Sequence, residues 1–276
     1  MRPRHLLLLA SIYSIASYAD VVTLVASKDA SIFQNNPDYS NGGGPGIFSG
    51  TSGTGSPRRA LIAFDMTSIP AGAIITSVQL TLTLGQIANG GPASATIGLF
   101  ALTQNWGQGT TGGTATGIGG TGQGYPANPG DATWNSASYS PTTPTQWTTP
   151  GGGHASTTSA TLFLNNNTVG NSFTWLSTPQ LVANAQGWLN DPATNFGLEL
   201  INADEVSPST LFAFYSSEWD NAHFGGSASQ VPQLQVIYTV PEPCTAALAF
   251  AGALGCLARR RRSVRRRKHS DEHTVG

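Results

Sequence analysis

The chain has 276 residues, of which only 10% are charged against roughly a quarter in an average soluble domain, and Gly, Ser, Thr and Asn fill the gap. Its formal net charge of −1 hides segregation: between Asp20 and Thr239 three bases (Lys28, Arg58, Arg59) face eleven acids, a net of −8. So acidic a body repels phosphate backbones, which excludes nucleic acid as a partner, and both cysteines, Cys244 and Cys256, lie beyond it, which excludes a disulfide or thiolate metal site there.

Residues 1–19 have the layout of a secretory signal peptide. Arg2, Arg4 and His5 form a positive start, Leu6 to Ile15 an apolar run, and Ser17-Tyr18-Ala19 a small-residue ending that signal peptidase would cut before Asp20. The body, 20–239, is rich in strand signals. Val21 to Val25 opens it. A cluster of Asn35, Asn36, Asp38 and Asn41-Gly42 follows, and together with Asp29 it offers oxygen ligands for Ca2+, although Asx-turns explain such residues without any cofactor. Leu61 to Phe64 is apolar on both faces, as an interior strand is. Ile69-Pro70-Ala71-Gly72 predicts a type I turn, with Pro second and Gly fourth. Val78, Leu80, Leu82 and Leu84 then alternate with polar residues, a period of two that buries one face.

After a strand at Thr96 to Leu102 the character changes. Residues 107–159 are Gly-, Thr-, Pro- and Ser-rich, with isolated Trp134, Tyr139 and Trp147, and predict long loops with one short strand around Trp134. Strands at Thr161–Leu164, Phe196–Ile201, Leu211–Tyr215 and Leu234–Tyr238 complete the pattern. Between the first two of these, Ser177 or Thr178 can cap a helix that Pro179 opens, with Leu181, Val182, Ala185, Trp188 and Leu189 on one face and Asn190-Asp191-Pro192 ending it. One short helix among about ten strands predicts an all-β, antiparallel sandwich.

The C-terminus reads Pro241-Glu242-Pro243, an apolar run from Cys244 to Leu257, and a basic cluster headed by Arg259, Arg260, Arg261 and Arg262. Fourteen helical residues span about 21 Å, short of a bilayer core of about 30 Å, and the arginine stems lend length by snorkelling. Basic flanks stay cytoplasmic, so the body would lie outside. This order of Pro-Glu-Pro, apolar helix and arginines resembles the PEP-CTERM sorting signal. The resemblance implies a hydrophobic C-terminal helix within 240–262, a basic cytoplasmic tail over 263–276, and processing by an exosortase, a membrane transpeptidase, in bacteria that make exopolysaccharide.

The body carries a second resemblance. Arg58-Arg59-Ala60-Leu61-Ile62-Ala63-Phe64-Asp65, Ser68 to Ala73, Asn105-Trp106, Thr133-Trp134-Asn135, Asn195-Phe196-Gly197-Leu198, Phe214-Tyr215-Ser216-Ser217-Glu218 and Pro232 to Tyr238 are together similar to the DNRLRE-type domain. The similarity spans 20–239, with 107–159 as an enlarged insertion. It implies a jelly-roll β-sandwich, with relatives among carbohydrate-binding modules.

Three sets of residues are candidates for binding. Arg58 and Arg59 can fork onto the carboxylates of acidic sugars, or pair with Glu218 or Asp65; as neighbours on a strand they face opposite sides. Trp106, Trp134 and Trp147, in or beside the long loops, can stack on sugar rings or pack as core. Asp29 and Asp38 are the calcium candidates. No Gly-x-Ser-x-Gly elbow or His-Glu-x-x-His motif occurs, and the glycine runs near Gly112 and Gly151 lack the Lys-Ser/Thr of a phosphate loop. The reading is an exported surface or matrix protein with a non-catalytic module for extracellular polysaccharide. A purely structural matrix protein stands second and a polysaccharide-cleaving enzyme third.

Overall fold

The structure is a computed structural model that describes residues 18–92, 94–112, 122–165, 168–220 and 224–241. Most of the signal-peptide segment, Glu242 and Pro243, the apolar run and Arg259 to Arg262 lie outside the described residues, as does His223. Pro241 is described and exposed. Among the described residues no helix is long and apolar enough to cross a membrane.

Ala19–Thr239 form one compact unit. Among the described residues it is all-β with a single α-helix, and every strand pairing is antiparallel. In chain order the strands are β1 (Ala19–Phe33), β2 (Tyr39–Ser40), β3 (Gly46–Thr51), β4 (Pro57–Phe64), β5 (Ile74–Ile87), β6 (Ala95–Leu102), β7 (Tyr125–Pro126), β8 (Ser136–Ser138), β9 (Thr145–Gln146), β10 (His154–Leu164) and β11 (Ser172–Trp175). Helix α1 (Pro179–Asn190) and strands β12 (Leu198–Asn202), β13 (Phe212–Tyr215) and β14 (Gln233–Thr239) follow.

Two long strands serve two neighbourhoods each. The first half of β1 pairs with β14, from Ala19↔Thr239 to Val25↔Gln233. Past a bulge between Ala26 and Lys28, its second half pairs with β4, from Lys28↔Ala63 to Phe33↔Arg58. Strand β5 likewise meets β14 and β11 along its first part and β13 at its end. A bulge bends a strand and increases its twist, and a bent strand can leave one layer for the next. Strands from both neighbourhoods share the main core. Val78, Leu80, Leu82 and Leu84 of β5 are wholly buried, as the period of two predicts, and pack with Leu234 and Val236 of β14 and with Ile62, Leu198, Leu200, Ile97 and Leu99 from β4, β12 and β6.

Strand β4 is interior, flanked by β1 and β12, and both its faces are buried. Ala60, Ile62 and Phe64 point into the main core, while Leu61 and Ala63 enter a second cluster on the other side. Helix α1 forms where its caps predict. Thr178 accepts a hydrogen bond from the Leu181 N–H at 3.0 Å, and Leu181, Ala185 and Trp188 are its buried face. Ser177, the other candidate cap, instead accepts from the Val78 N–H at 3.1 Å and ties the helix entrance to β5.

Two expectations need correction. The turn after β4 is framed one residue later than predicted: the Ala73 N–H donates to the Pro70 carbonyl, and Gly72 has φ +80°. Glycine thus stands third rather than fourth, and its positive φ makes this the type II arrangement. The described part of 107–159 is largely loop with short strands near Trp134, as predicted, but the next strand starts early. Residues 122–153 fold against the sheet, and β10 begins at His154, seven residues before the predicted Thr161. Trp106, Trp134 and Trp147, with Ala132 and Ala137, cover Ala30, Ile32, Leu61, Ala63 and Leu102 as the second hydrophobic cluster. Strand β7 pairs with β2, and β8 with β9.

Candidate functional site

Neighbouring residues of a strand face opposite sides, and Arg58 and Arg59 obey this. Arg58 points inward and is completely buried. Its Nε donates to the Gly122 carbonyl at 2.7 Å, its Nη1 donates to the Ser56 carbonyl, and its guanidinium sits 5.8 Å from the Phe33 ring centre. Burial lowers its pKa to about 10, which leaves it charged at neutral pH. It reaches neither solvent nor a carboxylate among the described residues. Arg59 points outward and forks onto Glu205, with Nε–Oε1 at 2.9 Å and Nη2–Oε2 at 2.7 Å. Neither arginine pairs with Glu218 or Asp65, the partners weighed from sequence; Asp65 accepts the Thr67 N–H instead, at 2.9 Å.

Around Arg59 lies a polar centre that no motif announced. Glu199 of β12 is fully buried, and neither of its oxygens has a hydrogen-bond partner among the described residues. Arg59 Nη1 stands 3.8 Å from one oxygen and His154 Nε2 3.9 Å from the other. Burial, only partly countered by the Arg59 charge and reinforced by that of Glu205, pushes the Glu199 pKa up to about 8. The carboxyl is therefore protonated at neutral pH, and the Arg59 fork is taken up by Glu205. Above it the backbone closes tightly: a Cβ on Gly152 (φ +103°) would lie 2.4 Å from Glu199 Oε1. Its sequence neighbours Leu198 and Leu200 give a period-two pattern that marks Glu199 as facing away from the main core, but not that loops would bury it.

The three loop tryptophans are core residues. Trp106 is 4% exposed, Trp134 7% and Trp147 5%, so none offers a free face to a sugar ring. The indole N–H of Trp106 donates to the Phe196 carbonyl at 2.9 Å and that of Trp147 to the Thr133 carbonyl at 2.8 Å. Cations cover two of the rings. Lys28 Nζ lies 4.3 Å from the Trp106 centre and the Arg59 guanidinium 5.2 Å from that of Trp134. The Lys28 ammonium also donates to Asn105 Oδ1 at 3.1 Å and the Trp106 carbonyl at 2.8 Å, and burial lowers its pKa.

The bulge in β1 positions an accessible cleft of about 490 Å3. It sits between Ser27 and Lys28, the end of β4, the turn around Ile69, and the last turn of α1. Phe64, Met66, Ile69 and Trp188 supply apolar wall, while half-buried Lys28 and Asn195 and exposed Asp65 and Thr67 supply polar groups. Apolar lining with a few convergent polar groups, in a volume of about 300–1,000 Å3, is the usual form of a small-ligand site. Sequence reading placed Trp188 in the core but gave no sign of the cleft, because its walls come from three segments remote in sequence.

Asp29 and Asp38 are not brought together. Asp38 is exposed, whereas Asp29 is fully buried with its carboxyl against Glu218. Asn35 and Asn36 turn their amides to Gln123. Among the described residues no group of three or more His, Cys, Asp or Glu could hold a metal ion. No protein-family model matches the chain, and no curated protein matches it.

Proposed function

We propose that the chain is an exported surface or matrix protein whose body binds extracellular polysaccharide without cleaving it. The observation that carries the binding reading is the cleft beside Lys28. It is a mostly apolar concavity lined also by Lys28, Asp65 and Asn195, and such a surface suits a sugar ring with one apolar face and a hydroxyl rim. Pairing of β1 with β14 and the exchange of β1 and β5 between layers favour a jelly-roll arrangement, with the DNRLRE-type resemblance alongside. Glu199 has the raised pKa of a general acid, but Gly152 seals it from substrate, which speaks against the cleaving alternative.

Affinity electrophoresis against a panel of neutral and acidic polysaccharides tests the binding reading. The protein is expected to be retarded by at least one gel, and Lys28→Gln to lose at least half of that retardation. Absence of retardation on every gel would sink the proposal in favour of a purely structural matrix role, and release of reducing ends would favour an enzyme.

Export and sorting rest on the signal-peptide pattern and on Pro241-Glu242-Pro243 with the arginine cluster. Signal peptidase and an exosortase are the proposed processing partners, acting while the C-terminal segment holds the chain transiently in the inner membrane. Intact mass of the protein recovered from its native host is expected to correspond to a product running from Asp20 to near Val240. A mass that includes Arg259 to Arg262 would contradict removal of the tag.

A further inference from the structure

Asp29 stands on β1 beside Lys28 but faces the opposite way, toward the turn that follows β13. One carboxylate oxygen, Oδ2, accepts the Ser217 N–H at 2.7 Å. The other, Oδ1, is buried and has no hydrogen-bond partner among the described residues, and the residue is wholly inaccessible. A buried carboxylate oxygen left unpaired is costly unless a cation or donor meets it. What Asp29 meets is a second carboxylate, Glu218.

Glu218 Oε2 accepts the Ser217 hydroxyl at 3.1 Å, and Oε1 accepts the Gln108 amide. Burial first, and for Asp29 the Glu218 charge second, raise the pKa values of both. No lysine or arginine answers either of them among the described residues: Lys28 is turned to Trp106, Arg58 to backbone carbonyls and Arg59 to Glu205.

Two carbonyl oxygens lie one hydrogen-bonded side chain away from Glu218. The Gln108 amide that meets Glu218 also donates to the Gly42 carbonyl at 2.8 Å. Ser216 Oγ, which accepts the Glu218 N–H at 3.2 Å, donates to the Gly44 carbonyl at 2.7 Å. Among the described residues, two carboxylates and nearby carbonyls, without histidine or cysteine, form a hard donor set. Calcium takes six to eight such oxygens in flexible geometry, whereas zinc favours nitrogen and sulfur.

We propose that the Asp29 and Glu218 carboxylates bind one Ca2+, completed by carbonyl oxygens of the 42–44 segment. The ion offsets two buried negative charges and ties β1 to the turns at 42–44 and 216–218. Asp38, the other acid that sequence suggests for calcium, takes no part.

The test uses the full chain stripped with EDTA. Terbium, a calcium mimic, is expected to give saturable luminescence on tryptophan excitation, with Trp219 adjoining the site, and CaCl2 to displace it. At a hundredfold excess of Ca2+ over its dissociation constant the thermal midpoint should rise by about 5–10 °C. Asp29→Asn and Glu218→Gln should each lose both signals, and Asp38→Asn should keep them. Should Asp29→Asn fail to fold, Glu218→Gln, on a partly accessible turn, carries the test. No luminescence and no shift in the unaltered chain, or an undiminished response in Glu218→Gln, would overturn the site. A rise in midpoint in Asp29→Asn or Glu218→Gln with no calcium response in the unaltered chain would assign the pair a shared proton instead, and equally overturn it.

Discussion

Glu199→Gln is expected to be more stable than the unaltered protein at pH 9 and to flatten the dependence of stability on pH. Glu199 has a folded pKa of about 8 against an ordinary 4.5. Below 4.5 the carboxyl is protonated whether the chain is folded or not. Between 4.5 and 8 the unfolded chain releases a proton that the folded chain keeps, so stability falls as pH rises, by up to about 1.4 kcal/mol per unit. Above 8 both states are ionised and the loss is complete, on the order of 3–5 kcal/mol across the window.

Glutamine keeps the shape and stays neutral. It can present its oxygen to Arg59 and its amide to His154, the two groups that stand just beyond hydrogen-bond distance of Glu199. Arg59 keeps its fork onto Glu205 in the variant. Urea unfolding at pH 5, 7 and 9 provides the measurement. An unchanged pH slope in Glu199→Gln would show that the carboxyl is already ionised in the folded state.

Trp134→Ala should cost about 3–5 kcal/mol of stability, the range for removing a buried aromatic that leaves a cavity. The ring underlies the Arg59 guanidinium and abuts Gly151, where an added Cβ would come within 2.7 Å of it. Its loss would open the second cluster and expose the cations and carboxyls of the Glu199 centre to water. If Trp134 were instead a sugar-stacking residue, the substitution would leave stability within about 1 kcal/mol and abolish polysaccharide binding. Denaturant midpoints combined with gel retardation of the folded fraction separate the two. The burial of Trp134 favours a large loss of stability with retardation per folded molecule retained.

The limits of sequence reading are physical. Period-two alternation along Val78 to Leu84 reports which face is buried because successive side chains point to opposite sides, and the structure buries all four apolar residues. The cap and breaker around α1 are equally local signals: Thr178 reaches an N–H three residues away, and Asp191-Pro192 ends the pattern. Residues 107–159 have no such period. Three tryptophans in a Gly- and Thr-rich background look alike whether they stack on sugars, stand in solvent or roof a sheet. Only the sheet face formed by Ala30, Ile32, Leu61, Ala63 and Leu102, drawn from three strands, makes them core. The arginines show the same division. Alternation says that Arg58 and Arg59 diverge, but their partners Gly122, Ser56 and Glu205 are set by loop placement.

What the amino-acid sequence determined by itself is what depends on neighbours in the chain: strand periodicity, the helix and its ends, the acidic body, and the patterned termini with Pro241-Glu242-Pro243. Tertiary structure alone decided which polar groups lost their water. Glu199 and Asp29 sit in ordinary strand contexts, and nothing within a few residues of either distinguishes it from an exposed acid. Each becomes exceptional because segments more than forty residues away close over it, Gly152 above Glu199 and Ser217 and Glu218 beside Asp29. Burial depends on the whole fold, and the chemistry of a carboxyl group follows burial more than it follows sequence.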